Sequence, residues 1–185
     1  DGLRRIVDKL GDQVFLPTTI FNPYSIGNKI SRGKLRKHME LEPEAVSIGL
    51  GTIAASLVEF VNTCIETGAS GIYFSAQGGE RNGFTQKEHE QYIKPHDLTV
   101  MEAANATGAP CNILHICGHE VRLKAYQDYP GSLINWAPQH GNLSLSAGRE
   151  LFQRPVVGGI DQRGPIVAGS KKEIVTEAER TLNET

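Results

Sequence analysis

Cys111-Asn112-Ile113-Leu114-His115-Ile116-Cys117-Gly118 is the stretch on which the fold turns. Its apolar run, entered from Ala109-Pro110 and left at Gly118, reads as a β-strand over 112–116. Side chains alternate faces along a strand, so His115 and Cys117 project to the same side. An imidazole and a thiol then stand together where the strand ends, and Gly118 lets the backbone turn away. Such a pair is two of the three protein ligands of a catalytic zinc, whose fourth position stays open. The same pair also reads as a buried core cysteine beside a hydrogen-bonded histidine, because unpaired cysteine is among the most buried residue types.

Outward from this strand, strand and helix patterns alternate. Further strands are expected over 14–20, closed by Asn22-Pro23, and over 71–76, 132–136 and 155–159. Helices are expected over 44–66, between Glu42-Pro43 and Gly68, and from Asp97 to about Thr107, stopped by Gly108-Ala109-Pro110. Shorter ones follow over 121–129 and 145–152, and a mixed-charge helix over 171–182. Apolar residues nearly encircle the 44–66 segment, which predicts a largely buried helix. The run Arg32-Gly33-Lys34-Leu35-Arg36-Lys37-His38 and the polar stretch with His89 and Tyr92 read as loops.

This alternation means an α/β fold with a parallel sheet. A five-stranded doubly wound sheet would be complete at this length. A (β/α)8 TIM barrel needs about 250 residues, so 185 residues would hold only part of one. Polar groups follow all five expected strands: Asn22, Gln77 to Glu80, His115 with Cys117, Asn135 to His140, and Asp161. A barrel gathers such strand-end loops around one mouth, whereas an open sheet concentrates them at its switch point. The expectation is therefore a single domain over 1–185, the central and C-terminal part of a barrel.

Composition bounds the function. A net charge of -2 offers no electrostatic argument for nucleic acid or an anionic membrane surface. No uninterrupted apolar stretch approaches the ~20 residues of a membrane span. Three cysteines, Cys64, Cys111 and Cys117, are too sparse and odd for a disulfide framework and point to a reducing compartment, the cytoplasm by default. The chain opens at Asp1 inside an amphipathic pattern (Leu3, Ile6, Val7, Leu10) and stops just after another, which reads as a piece of a longer protein.

Around the strand ends, Glu80 after Gly78-Gly79 offers a carboxylate that ligates, accepts a proton or orients substrate, or else stands in solvent. Asp161 binds substrate or orients a ligand, or else caps the turn before Gly164-Pro165. Gln77 and Asn135 line the mouth, unless they satisfy backbone groups as amides at strand ends commonly do. His119 and Glu120 read as helix-start residues, His140 as a loop histidine, Tyr73 and Trp136 as packing, and the paired glycines as backbone devices.

Three motifs in order, Gly68-Ala69-Ser70-Gly71-Ile72-Tyr73-Phe74-Ser75, Leu114-His115-Ile116-Cys117-Gly118 and Val157-Gly158-Gly159-Ile160-Asp161, resemble the uroporphyrinogen decarboxylase superfamily. Phe21-Asn22-Pro23-Tyr24-Ser25-Ile26 through Gly33 is similar to that family's early barrel loop, and Ala168-Gly169-Ser170 with Glu173-Ile174 also fits. The resemblance runs over nearly the whole chain and implies a (β/α)8 barrel. From their places at the strand ends, Asn22, Gln77, Asn135 and Asp161 are the expected substrate-binding residues and Glu80 the expected catalytic carboxylate.

The superfamily divides by chemistry. Decarboxylases proper use no metal and strip carboxylates from the acetate arms of a tetrapyrrole. Methylcobamide:thiol methyltransferases carry a His-x-Cys pair and a distant cysteine that bind zinc, which activates the thiol accepting a methyl group. His115-Ile116-Cys117 resembles the second branch, and Lys29 stands where the decarboxylase's tyrosine is expected. The resemblance implies zinc on His115 and Cys117, a thiol substrate, and a methylated corrinoid as donor, carried by a partner protein because no separate region here is long enough to bind one. No cysteine follows Cys117, so the third ligand is expected shortly beyond residue 185. Two alternatives stay open: a metal-free decarboxylase acting on a tetrapyrrole, and an inert half-barrel that pairs with another segment or with itself as a homo-oligomer, through exposed sheet edges.

Overall fold

A computed structural model describes residues 2–139 and 141–184. Four strands form one sheet: β1 (Pro17–Phe21), β2 (Gly71–Ala76), β3 (Ile113–Ile116) and β4 (Leu133–Trp136), every neighbouring pair parallel and in chain order. A parallel pair needs a crossover of a dozen or more residues. The helices are α1 (Gly2–Leu10), α2 (Pro23–Ile30), α3 (Leu35–Leu41), α4 (Pro43–Glu66), α5 (Gln86–Glu88), α6 (Lys94–Ala106), α7 (Leu145–Phe152), α8 (Pro165–Ala168) and α9 (Lys171–Glu184). The β1–β2 crossover runs through α2, α3 and α4, and the β2–β3 crossover through α5 and α6. A strand order without reversal has no switch point of the doubly wound kind. The sheet is the strand succession of part of a (β/α)8 barrel.

The two faces of the sheet differ. Ile20, Ile72, Phe74, Ala76, Leu114, Ile116, Ile134 and Trp136 are all buried, packed with Ala54 and Val61 of α4, Val100, Met101 and Ala104 of α6, and Leu145 and Phe152 of α7. The alternate residues Thr19, Phe21, Tyr73, Ile113, His115, Leu133 and Asn135 are only part-buried or exposed. In a closed barrel this second face is the interior, and it carries the strand-end chemistry.

Several elements depart from the sequence expectations. The first strand begins at Pro17, not Val14; Val14 and Phe15 are exposed ahead of it. Proline is tolerated at a strand's first position, where its missing N–H costs least. Asn22-Pro23 does not merely close the strand: Asn22 caps α2, its Oδ1 accepting from Ser25 N, with Pro23 opening the first turn. The expected fifth strand over 155–159 reduces to one parallel bridge, Val156 with Ile134. Gly158 and Gly159 at φ +129° and +112° turn the chain off the sheet. The helix expected over 121–129 is one 3-10 turn, Leu123–Tyr126.

Half of the basic run folds into α3, whose Leu35 and Met39 are buried one turn apart. The polar stretch after β2 is helical too. A capping box joins Thr85 and Glu88, and a wide turn at His89–Ile93 leads into α6 at Lys94 rather than at Asp97. The long helix α4 has a buried edge (Val46, Leu50, Ala54, Val61, Cys64) and an open side with Ile48 and Phe60. By length and composition alone its 24 residues could cross a membrane, contrary to the expectation of no such stretch, but here it packs against α6, α2, α3 and β1.

Candidate functional site

Parallel register puts Ser75, His115 and Asn135 in one row across β2, β3 and β4. His115 therefore lies beside Asn135, and its Nδ1 is within hydrogen-bond distance of Asn135 Oδ1. Tyr73 reaches the same oxygen, its hydroxyl donating over 2.8 Å. The Tyr73 ring also stacks on the imidazole, centroids 5.2 Å apart and planes 22° from parallel. The Asn135 Nδ2 donates to the Val157 carbonyl. Burial pushes His115 below the ordinary histidine pKa, and its bond to Asn135 opposes part of that. At neutral pH the ring is uncharged, the form a metal ligand requires.

Cys117 follows the last residue of β3 and is half-buried, whereas Cys64 and Cys111 are buried away from it. Its thiol is pushed up by burial and then by the Glu80 carboxylate. Glu80 comes close because the loops after β2 and β3 pair. Glu80 forms an antiparallel bridge with Val121, Arg81 N donates to Glu120 O, and Arg122 N donates to Gly79 O. Arg122 ties the two loops by donating to the carbonyls of Glu80 and Arg81 over 3.0 and 2.8 Å. Asn142 fastens the β3 loop from the β4 side: its Nδ2 donates to Gly118 O and Ala137 O, and its Oδ1 accepts from Val121 N.

His115, Cys117, Glu80 and Asn135 are thus gathered at the strand ends, with Tyr73 added to them. Gln77 follows β2 part-exposed, and its side chain has no hydrogen-bond partner among the described residues. Two other assignments change. Asn22 is not at the mouth but fully buried: it caps α2, and its Nδ2 donates to Gln77 O and to Asp97 on α6. Asp161 makes a local turn, its Oδ1 accepting from Arg163 N over 2.8 Å. His119 and Glu120 start no helix; Glu120 sits at φ +47° in the turn. His140 lies outside the described residues.

Beneath the loops runs a buried polar chain that no local signal in the sequence marks. Asp97 accepts from Asn22 and from the Tyr129 hydroxyl, Tyr129 packs on Tyr126, and the Tyr126 hydroxyl meets His89 Nε2 at 3.1 Å. Burial raises Asp97 well above the usual carboxylate range and lowers His89 to about 4, so the His89 ring is neutral near pH 7. These pairings join residues up to 75 apart in sequence.

An imidazole nitrogen and a thiol sulfur at the end of β3 are donor types that suit a borderline-soft ion such as zinc. Among the described residues no three His, Cys, Asp or Glu side chains are grouped to hold a metal.

A family model described as Uroporphyrinogen decarboxylase (URO-D) matches residues 1–185. Among curated proteins no relative matches. Among solved structures, the chain is similar to a methyltransferase from Methanosarcina mazei, with a TM-score of 0.84 at 19% identity. The superposition covers 98% of this chain and 53% of the methyltransferase, so the chain spans about half of that protein's length. At that identity the likeness speaks for the fold, while the family match extends over every residue: the chain belongs to the uroporphyrinogen decarboxylase family.

Proposed function

We propose that these 185 residues form part of the active site of a zinc-dependent enzyme that transfers a methyl group from a methylated corrinoid to a thiol. The observation that carries this reading is the juxtaposition, at the open end of β3, of an uncharged imidazole at His115, a half-buried thiol at Cys117 and a carboxylate at Glu80 beside that thiol. Fold-level likeness to a solved methyltransferase supports it further.

In this reading His115 and Cys117 hold zinc, and the remaining protein ligand comes from outside these residues. Zinc, when bound, supplies the charge that keeps a substrate thiol ionised near neutral pH. Cys117 gives up its proton on ligation. Glu80 accepts the proton of the incoming thiol, and Gln77 contacts substrate. The corrinoid arrives on a partner protein, and the enzyme works in the cytoplasm.

Family membership favours one other reading, metal-free decarboxylation of a uroporphyrinogen-type tetrapyrrole. The natural protein, purified without chelator, separates the two when offered methylcobalamin with a simple thiol in one assay and uroporphyrinogen in another. The methyltransferase reading expects a methyl thioether product, abolished by Cys117→Ser. Release of carbon dioxide from uroporphyrinogen, unaffected by Cys117→Ser, would overturn it.

A further inference from the structure

The Val157 carbonyl carries no proton, so the Asn135 amide must turn its NH2 group toward it. That orientation directs Oδ1 at Tyr73 and His115. An amide oxygen only accepts, so both neighbours must donate: Tyr73 through its hydroxyl and His115 through a proton on Nδ1. The neutral imidazole then has its bare lone pair on Nε2. That atom has no hydrogen-bond partner among the described residues and is not among their buried unpartnered atoms, so it reaches the open face of the sheet. The stacked Tyr73 ring covers one side of the imidazole and restricts its rotation. Gly158 makes the arrangement possible, because a β-carbon there would stand 2.6 Å from Asn135 Nδ2.

We propose that Asn135 is a positioning residue rather than a substrate contact: with Tyr73 it fixes His115 as the Nδ1-protonated tautomer and presents Nε2 as the free donor of the site. For the identity of the metal this rests on the zinc reading above; the tautomer itself does not. Partners behind a ligating histidine set its tautomer and orientation, and losing one typically weakens metal binding about 10–100-fold. Asn135 and the aromatic stack would do that work without a carboxylate.

The test uses the natural protein labelled with nitrogen-15 and stripped of metal. The His115 ring nitrogens should show a protonated Nδ1 and an unprotonated Nε2, and the reverse assignment overturns the proposal. Zinc affinity is then measured by competition with a chromophoric chelator. Asn135→Leu, which loses all three hydrogen bonds, should bind about 10–100-fold more weakly. Asn135→Asp, which keeps the acceptor for His115 but turns an oxygen toward the Val157 carbonyl, should still retain the Nδ1 proton. Parental affinity in a folded Asn135→Leu variant also overturns the proposal. If Asn135→Leu does not fold, the parent and Asn135→Asp spectra still decide it. A parent that takes up no zinc removes the zinc reading alone, and the nitrogen spectrum by itself then decides the role of Asn135.

Discussion

Gly118 lies against the Glu80 side chain: a β-carbon on it would stand 2.5 Å from Oε1 and 2.8 Å from Cγ. The glycine also holds φ at +121°, where any side chain strains the backbone. Gly118→Ala should therefore cost about 1–3 kcal/mol, read by urea unfolding, and should push the Glu80 carboxylate away from Cys117. Unchanged stability would mean that the loop after β3 turns differently.

The charge of Glu80 acts on Cys117 in a measurable direction. A neighbouring anion disfavours the thiolate, so Glu80→Gln should lower the thiol pKa in metal-free protein. Alkylation of Cys117 by iodoacetamide should shift to lower pH in the variant. Burial remains the larger cause, so the thiol should still titrate above an ordinary cysteine. An unmoved profile would place the carboxylate out of range.

Close packing of α7 on the sheet makes a sharper mechanical claim. A β-carbon on Gly148 would stand 2.2 Å from the buried Trp136 ring, which has nowhere to go. Gly148→Ala should lose at least about 1–3 kcal/mol from overpacking, with altered tryptophan fluorescence. A variant as stable as the parent would show that α7 does not seat there.

His89 supplies a pH dependence whose sign can be worked out. Its pKa is about 4 in the fold against 6.5 unfolded, so between these values the unfolded chain binds more protons. Its neutral form carries no penalty above about pH 6.5, and stability is lost as pH falls toward 4. The full loss is about 3 kcal/mol, from 1.36 kcal/mol per pH unit. Asp97 has the opposite sign, since a raised carboxylate pKa makes stability fall as pH rises from its unfolded value of 3.8. Comparing parent with His89→Asn by urea unfolding between pH 4 and 7 isolates the histidine. The variant should lack this acid loss, and parallel profiles would contradict the buried neutral imidazole.

What the sequence showed of this fold was set by distance along the chain. The strands at 71–76, 113–116 and 133–136 and the helices α4, α7 and α9 were legible because apolar periodicity and local caps mark them. The apolar residues Val14 to Leu16 imitated a strand start, and Pro155 to Val157 imitated a strand that two left-handed glycines cut short. His115 and Cys117 were legible as neighbours because only Ile116 separates them. The bond from Tyr73 to Asn135 spans 62 residues, and that from Asn22 to Asp97 spans 75. Asn22 thus looked like a mouth residue and is a buried brace, while Asn135 looked like a substrate contact and holds a histidine.

The most direct measurement is zinc per chain on the natural protein purified without chelator, beside its Cys117→Ser variant. Near one zinc is expected in the parent and little in the folded variant. Equal zinc in both, or none in the parent, would contradict a metal site built on His115 and Cys117.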